Sequence, residues 1–286
     1  MQTWHNAEDI ELGASAVTIG MFDGVHKGHR RVLRQLSAAA AQSGLPRVVI
    51  TFDPHPRAIL RPDSPPALLQ SLPDKVELLR STRNVDHCLV LPFDRSRSQE
   101  SVEDFVQSVL VRQLGVRKLV IGANFACGKG RAGTVARLAE LGRRSGFEVE
   151  PVDLHAESDA YGQPACSSTE TRRLIQAGHL AEAAAMLERP HELTAPVAPR
   201  SGDRAYLRLL PRQDMCMPPD GDYQGVVRRK DRPADWRSTP LRVLTEDLGN
   251  RRTLLLPVEL SPSVTPGAAL TVCFLDRAAG QSMAYA

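Results

Sequence analysis

The chain has 286 residues, room for one large core or two moderate ones, since single domains run to roughly 100–200 residues. A composition of 42% hydrophobic and 24% charged residues belongs to a folded globular protein and excludes extended disorder. The formal net charge of +3 is too small to supply a broad basic face, so neither nucleic acid nor membrane is expected as a partner, and any anion should be bound locally.

The start, Met1-Gln2-Thr3-Trp4-His5, lacks the basic cluster and apolar run of a secretory signal, and no stretch reaches the length of a membrane span, so a cytoplasmic location is expected. Cys88, Cys127, Cys166, Cys216 and Cys273 are spaced too widely for a zinc knuckle or a disulfide framework, and no protein-held metal site is expected. Val17-Thr18-Ile19 reads as the first strand. Residues 27–43 follow as a helix carrying Val32, Leu33 and Leu36 and closed by Gly44. Val48-Val49-Ile50-Thr51-Phe52 is apolar enough for a strand buried on both faces. Pro73 opens a short helix, as proline suits a first turn.

Cys88-Leu89-Val90-Leu91 makes a third strand, and residues 101–114 a helix with Phe105, Val109 and Leu110 on one side. Leu119-Val120-Ile121 is a fourth strand that ends in a glycine-rich loop. A helix after Thr134 stops near Gly146, and Phe147-Glu148-Val149 gives a fifth. This alternation predicts an α/β fold with a doubly wound parallel sheet and ligands at the carboxyl ends of its strands. Past Pro190 the long amphipathic helices stop, and short runs such as Tyr206-Leu207-Arg208-Leu209, Gly225-Val226-Val227 and Leu254-Leu255-Leu256 predict a smaller C-terminal β-barrel-like domain. The expected domains are 1–190 and 191–286.

Four motifs fall where such a sheet keeps its ligands. Gly20-Met21-Phe22-Asp23-Gly24-Val25-His26-Lys27-Gly28-His29 links a strand to a helix, where amides and the helix dipole favour an anion and Gly28 permits close backbone approach. Two imidazoles there suit a polyphosphate whose negative charge must be held while it grows. Ser167-Ser168-Thr169-Glu170-Thr171-Arg172 opens a later helix. It reads either as a plain N-cap or, beside the first motif, as a hydroxyl and guanidinium clamp for phosphates. The loop 122–133, from Gly122 through Asn124, Phe125 and Cys127, is too rich in glycine for a helix and leaves a strand at the ligand edge. Phe52-Asp53-Pro54-His55-Pro56 is a proline-stiffened turn at the end of the second strand.

With these elements in this order, residues 14–192 resemble the bacterial bifunctional riboflavin kinase/FMN adenylyltransferase family, also called FAD synthetase. The GxFDGxHxGH segment is shared with the wider HxGH nucleotidyltransferases, and the FxPHP turn, GxNFxxG loop and SSTxxR segment narrow the likeness to this family. The resemblance implies a Rossmann-like domain in which His26 and His29 bind ATP phosphates, Asn124 positions nucleotide or metal, and Ser168, Thr169 and Arg172 hold the transferred end. Gly20, Met21, Phe22, Asp23, Gly28 and Gly122 would line the nucleotide, and His55, Pro56, Leu60, Phe105, Phe125 and Cys127 the acceptor. Magnesium would arrive with ATP, and the favoured acceptor is FMN, joined to AMP with release of pyrophosphate.

The sequence departs from the pattern in four places. Met21 stands where the family often has asparagine, and Leu60 and Cys127 where it tends to have aromatics able to hold a flavin ring. In 191–286 the kinase signature GxPTAN has no counterpart, so a degenerate barrel without riboflavin kinase activity is expected. Two other readings stay open: a paralogue that nucleotidylates another phosphorylated metabolite, and a non-catalytic flavin or nucleotide binder.

Overall fold

The computed structural model describes residues 1–154, 166–199, 205–232, 234–246, 251–258 and 264–278. By packing, the chain forms two compact units, Met1–Pro66 with Leu72–Cys166, and Ala67–Ser71 with Ser167–Ala286. Among the described residues no helix is long and apolar enough to cross a membrane.

The first unit runs β1 (Gln2–Trp4), β2 (Ser15–Ile19), α1 (Lys27–Ala41), β3 (Arg47–Asp53), α2 (Pro56–Leu60), α3 (Leu72–Ser81), β4 (His87–Pro92) and α4 (Arg95–Gln99). It continues with α5 (Val102–Phe105), which widens into a π-helical stretch at Val106–Gln113, then β5 (Val116–Gly122), β6 (Ala126–Cys127), β7 (Gly133–Thr134), α6 (Val135–Ser145) and β8 (Glu148–Val152). Six strands form one parallel sheet in the order β1-β4-β3-β2-β5-β8. Every residue of β2 is buried, as its central place requires.

The strand expected to come first, at Val17, is the second. Gln2–Trp4 precedes it and pairs in parallel with β4 at the sheet edge, Gln2 opposite His87. Three residues without an apolar run carry no strand signal of their own, and it is the pairing partner that makes them one.

The two faces of the sheet bury different side chains, in keeping with the alternation of a strand. On one face Val17, Ile19, Val48 and Ile50 pack with Phe105, Val109 and Leu110 of the α5 segment and Leu138 of α6. On the other Ala16, Val49, Cys88 and Val120 meet Val32, Leu33 and Leu36 of α1 and Leu79 of α3. The chain steps outward from β2 through β3 to β4, then returns to the opposite side of β2 for β5 and β8. The loops that leave β2 and β5 therefore part in opposite directions from neighbouring strands, which opens a crevice at their carboxyl ends.

The second unit begins with α7 (Ser168–Gln176) and α8 (Leu180–Leu187). Strands β9 (His191–Pro196), β10 (Tyr206–Leu209), β11 (Gly221–Arg229), β12 (Arg237–Glu246), β13 (Arg251–Pro257) and β14 (Ala269–Arg277) follow. They pair antiparallel in the order β10-β13-β12-β11-β14-β9. The sheet curls until its two edges touch: Ala198 N–H donates to Arg208 O at 2.8 Å and Leu210 N–H to Pro196 O at 3.0 Å. The inside of this half-barrel is filled by Leu193, Leu207, Tyr223, Leu241, Leu254 and Phe274, so it is a packed core.

Candidate active site

The loop after β2 is held in an unusual shape. Gly20 N–H continues the ladder to Ile50 O at 3.0 Å, and the chain then turns through left-handed φ at Phe22 (49°), Gly24 (88°) and Val25 (40°). Phenylalanine and valine resist that region, at about 1–3 kcal/mol per residue, and valine the more because it is β-branched. Both are buried, Phe22 2% and Val25 0% exposed, so packing holds what local preference opposes. Asp23 between them is buried as well.

The turn delivers His26 to the start of α1. Its Nδ1 accepts the His29 N–H at 3.4 Å, so the imidazole is the helix N-cap and its ring proton belongs on Nε2. His26 and His29 stack with ring centroids 3.7 Å apart, and Phe22 tilts against His29 at 5.1 Å. A Cβ on Gly28 would stand 3.2 Å from the His26 ring and 3.4 Å from Cys166 O, so glycine is what lets the ring lie over the helix entrance. Cys166 Sγ lies 3.5 Å from His26 Nδ1. The sequence signal for this cluster, an HxGH segment between strand and helix, corresponds to a pair of imidazoles set one on the other at a helix N-terminus.

The loop after β5 leaves the neighbouring strand. Ala123 N–H bonds Val152 O at 2.9 Å and Phe125 N–H bonds Gly122 O at 2.9 Å, which leaves Asn124 exposed at the tip of the turn. Gly122 sits against Leu154 and the Asn124 amide oxygen. Phe125 and Cys127 pack on the cluster that contains Phe105, itself 5% exposed. Burial pushes the Cys127 thiol up to about 11, so it is an uncharged filler at neutral pH. His55 caps α2, its Nδ1 accepting Arg57 N–H at 3.1 Å, with Pro56 in the first turn. Leu60, at the far end of that helix, is 55% exposed.

The SSTxxR residues belong to the second unit. Ser167 is the N-cap of α7, its hydroxyl oxygen accepting Glu170 N–H at 3.1 Å; Ser168 is half-buried and Thr169 exposed in the first turn. Arg172 is 9% exposed and its Nε donates to Ala67 O at 2.6 Å. The capping reading of this segment therefore holds for Ser167.

Two residues beside the first loop carried no motif. Lys75 of α3 is 6% exposed, and its Nζ donates to Met21 O at 3.2 Å and to Thr51 Oγ1 at 3.1 Å. Thr51 in turn donates to the same Met21 oxygen at 3.1 Å. The available signal was a charged residue four positions before the buried Leu79, on the apolar stripe of its own helix.

Residues 9–169 match the family model described as FAD synthetase. The chain belongs to the FAD synthetase family. The bifunctional riboflavin kinase/FMN adenylyltransferase of Escherichia coli K12 is 32% identical over 193 residues, 68% of this chain and 60% of that one. The proteins of the same description from Haemophilus influenzae and Pseudomonas fluorescens are 35% and 34% identical over 189 and 193 residues. The chain thus spans about 60% of the length of these relatives. A solved structure titled as a macrolide-efflux protein from Streptococcus pneumoniae matches 99% of this chain and 91% of its own with a TM-score of 0.80 at 23% identity, a likeness of fold.

Proposed function

We propose that this FAD synthetase family member transfers AMP from ATP to FMN, giving FAD and pyrophosphate. The observation that carries the reading is the stacked His26–His29 pair at the entrance of α1, on the strand where the sheet changes direction. A triphosphate laid against that entrance meets helix amides, the positive end of the helix dipole and imidazole N–H donors. An oxygen of the acceptor phosphate attacks the α-phosphorus, the bond to the bridging oxygen breaks, and the electron pair leaves with pyrophosphate. Charge grows on that leaving group, so donors fixed beforehand gain strength as the reaction proceeds, and no acid–base pair is required.

Ser168, Thr169 and Arg172 are proposed to take the β- and γ-phosphates, as the family pattern implies. Among the described residues no group of three or more His, Cys, Asp and Glu side chains is placed to hold a metal ion. The exposed Asn124 amide oxygen suits a magnesium ion carried on the nucleotide, with phosphate oxygens and water as its main ligands, while the imidazole pair faces the phosphates themselves. When bound, it would neutralise triphosphate charge.

A second reading keeps the chemistry and changes the acceptor. It is favoured by the exposure of Leu60 and the half-buried, uncharged thiol of Cys127 at positions where flavin-holding aromatics were expected. Both readings are tested by offering ATP, magnesium and a panel of phosphorylated acceptors and following pyrophosphate. Release that requires FMN supports the first. Release only with another acceptor supports the second, and silence with every acceptor beside measurable ATP binding leaves a nucleotide binder. Residues 191–286 are proposed to lack riboflavin kinase activity, since GxPTAN is missing. FMN formed from riboflavin, ATP and magnesium would contradict that.

A further inference from the structure

Lysine is seldom buried unless its charge is used or matched. Lys75 reaches from α3 to a single peptide carbonyl in the signature loop, that of Met21, and shares it with the Thr51 hydroxyl of β3. Thr51 alone would satisfy that carbonyl, and a methionine would fill the space of the lysine stem. The ammonium is therefore more than the fold requires.

We propose that Lys75 is a positioning residue of the nucleotide site: it holds the Met21 carbonyl inside the fold, and thereby sets the left-handed turn that presents His26 and His29 to the phosphates, while placing a positive charge behind the loop. The inference rests on reading this loop as the ATP-phosphate loop. A peptide carbonyl carries partial negative charge, so in a loop that receives a polyanion it opposes binding unless it is turned away and matched. The residue after Met21 is Phe22, at φ 49°, and its ring packs on His29. Displacing the carbonyl would therefore move the imidazole stack through one aromatic contact. The groups around the ammonium are Asp23 of the loop, Asp53 at the end of β3 and Cys88 of β4. Burial pushes Lys75 below the ordinary lysine range and the attraction of these groups offsets that only in part, so the charge is held at a cost to the fold.

The test is the affinity for magnesium–ATP, read by calorimetry from neutral to alkaline pH, in the wild-type protein and in Lys75→Met, with thermal denaturation alongside. Lys75→Met should bind about tenfold more weakly at neutral pH; because it leaves the buried Asp23 without this opposite charge, it should also melt lower than wild type, and binding is compared below that transition. Wild-type affinity should fall as Lys75 loses its proton below the usual lysine range, and the variant should show no such fall. Binding within twofold of wild type, or the same alkaline fall in the variant, overturns the proposal. Should Lys75→Met not fold, Thr51→Val keeps the lysine and removes one acceptor from its ammonium, so the alkaline fall should begin at lower pH; an unmoved fall overturns it equally. Binding is independent of the acceptor. A protein that binds magnesium–ATP and releases no pyrophosphate with FMN contradicts the proposed function and leaves this inference standing, whereas wild-type protein with no affinity for magnesium–ATP overturns both.

Discussion

At His26 one ring serves two ends, since Nδ1 caps α1 while the imidazole forms half of the stacked pair. The two roles separate by substitution. Asparagine is among the best N-caps but has no imidazole, so His26→Asn should keep the helix start, with melting within a few degrees of wild type, and should lower turnover at least about tenfold. Turnover retained beside normal melting would show the imidazole to be a cap and nothing more. His191 shows the opposite case, a histidine absorbed by the fold: it is 2% exposed, donates from Nε2 to Cys216 O at 2.8 Å, and burial pushes it down to about 4. The unfolded chain binds a proton there from its ordinary value of about 6.5, so stability should fall as pH drops from that value towards 4, by on the order of 3 kcal/mol. Urea denaturation at neutral pH and near pH 4 should show this loss in wild type and a smaller one in His191→Gln; equal losses would remove His191 from the acid response. His26 and His29 were legible because strand, glycines and spacing surrounded them. Lys75 was not, because only the docking of α3 decides that its stripe is buried beneath the loop.

Strand β11 carries a second constraint of backbone approach. The register of β11 against β14 shifts between Gln224 and Gly225, and a Cβ on Gly225 would stand 2.3 Å from Cys273 O and 2.5 Å from a Leu241 methyl. Gly225→Ala should destabilise the second unit by about 1–3 kcal/mol, read as a lowered denaturation midpoint; an unchanged midpoint would mean that the two strands can part without cost. At this scale the first unit was read well, since β2, β3, β4 and β5 are apolar runs spaced by helices and each buries both faces. The edge strand β1 was missed for want of any run, and β12, which carries Pro240 inside it, was not among the runs named. In both cases pairing overrode local preference: β12 is held between β11 and β13 along most of its length. The helix expected at 101–114 is present, but its π-helical turns left no mark in the periodicity.

Across the molecule, the parallel sheet and the half-barrel follow from two kinds of hydrophobic pattern in one chain, and family membership agrees with the first of them over residues 9–169. The acceptor was the least legible feature, because a flavin platform depends on which side chains a loop exposes. Cys127 turned out to be packed on the Phe105 cluster while Leu60 is largely exposed. The absent kinase signature gives a prediction for the whole chain: with riboflavin, ATP and magnesium no FMN should form, whereas supplied FMN should be consumed. In the proposed function the imidazole pair is the seat of nucleotidyl transfer. FMN-dependent pyrophosphate release, measured side by side in wild type and His29→Ala, tests it most directly. Release in wild type that falls at least about tenfold in the variant, roughly 1.4 kcal/mol of transition-state stabilisation, is the predicted result; equal rates in the two proteins would contradict it.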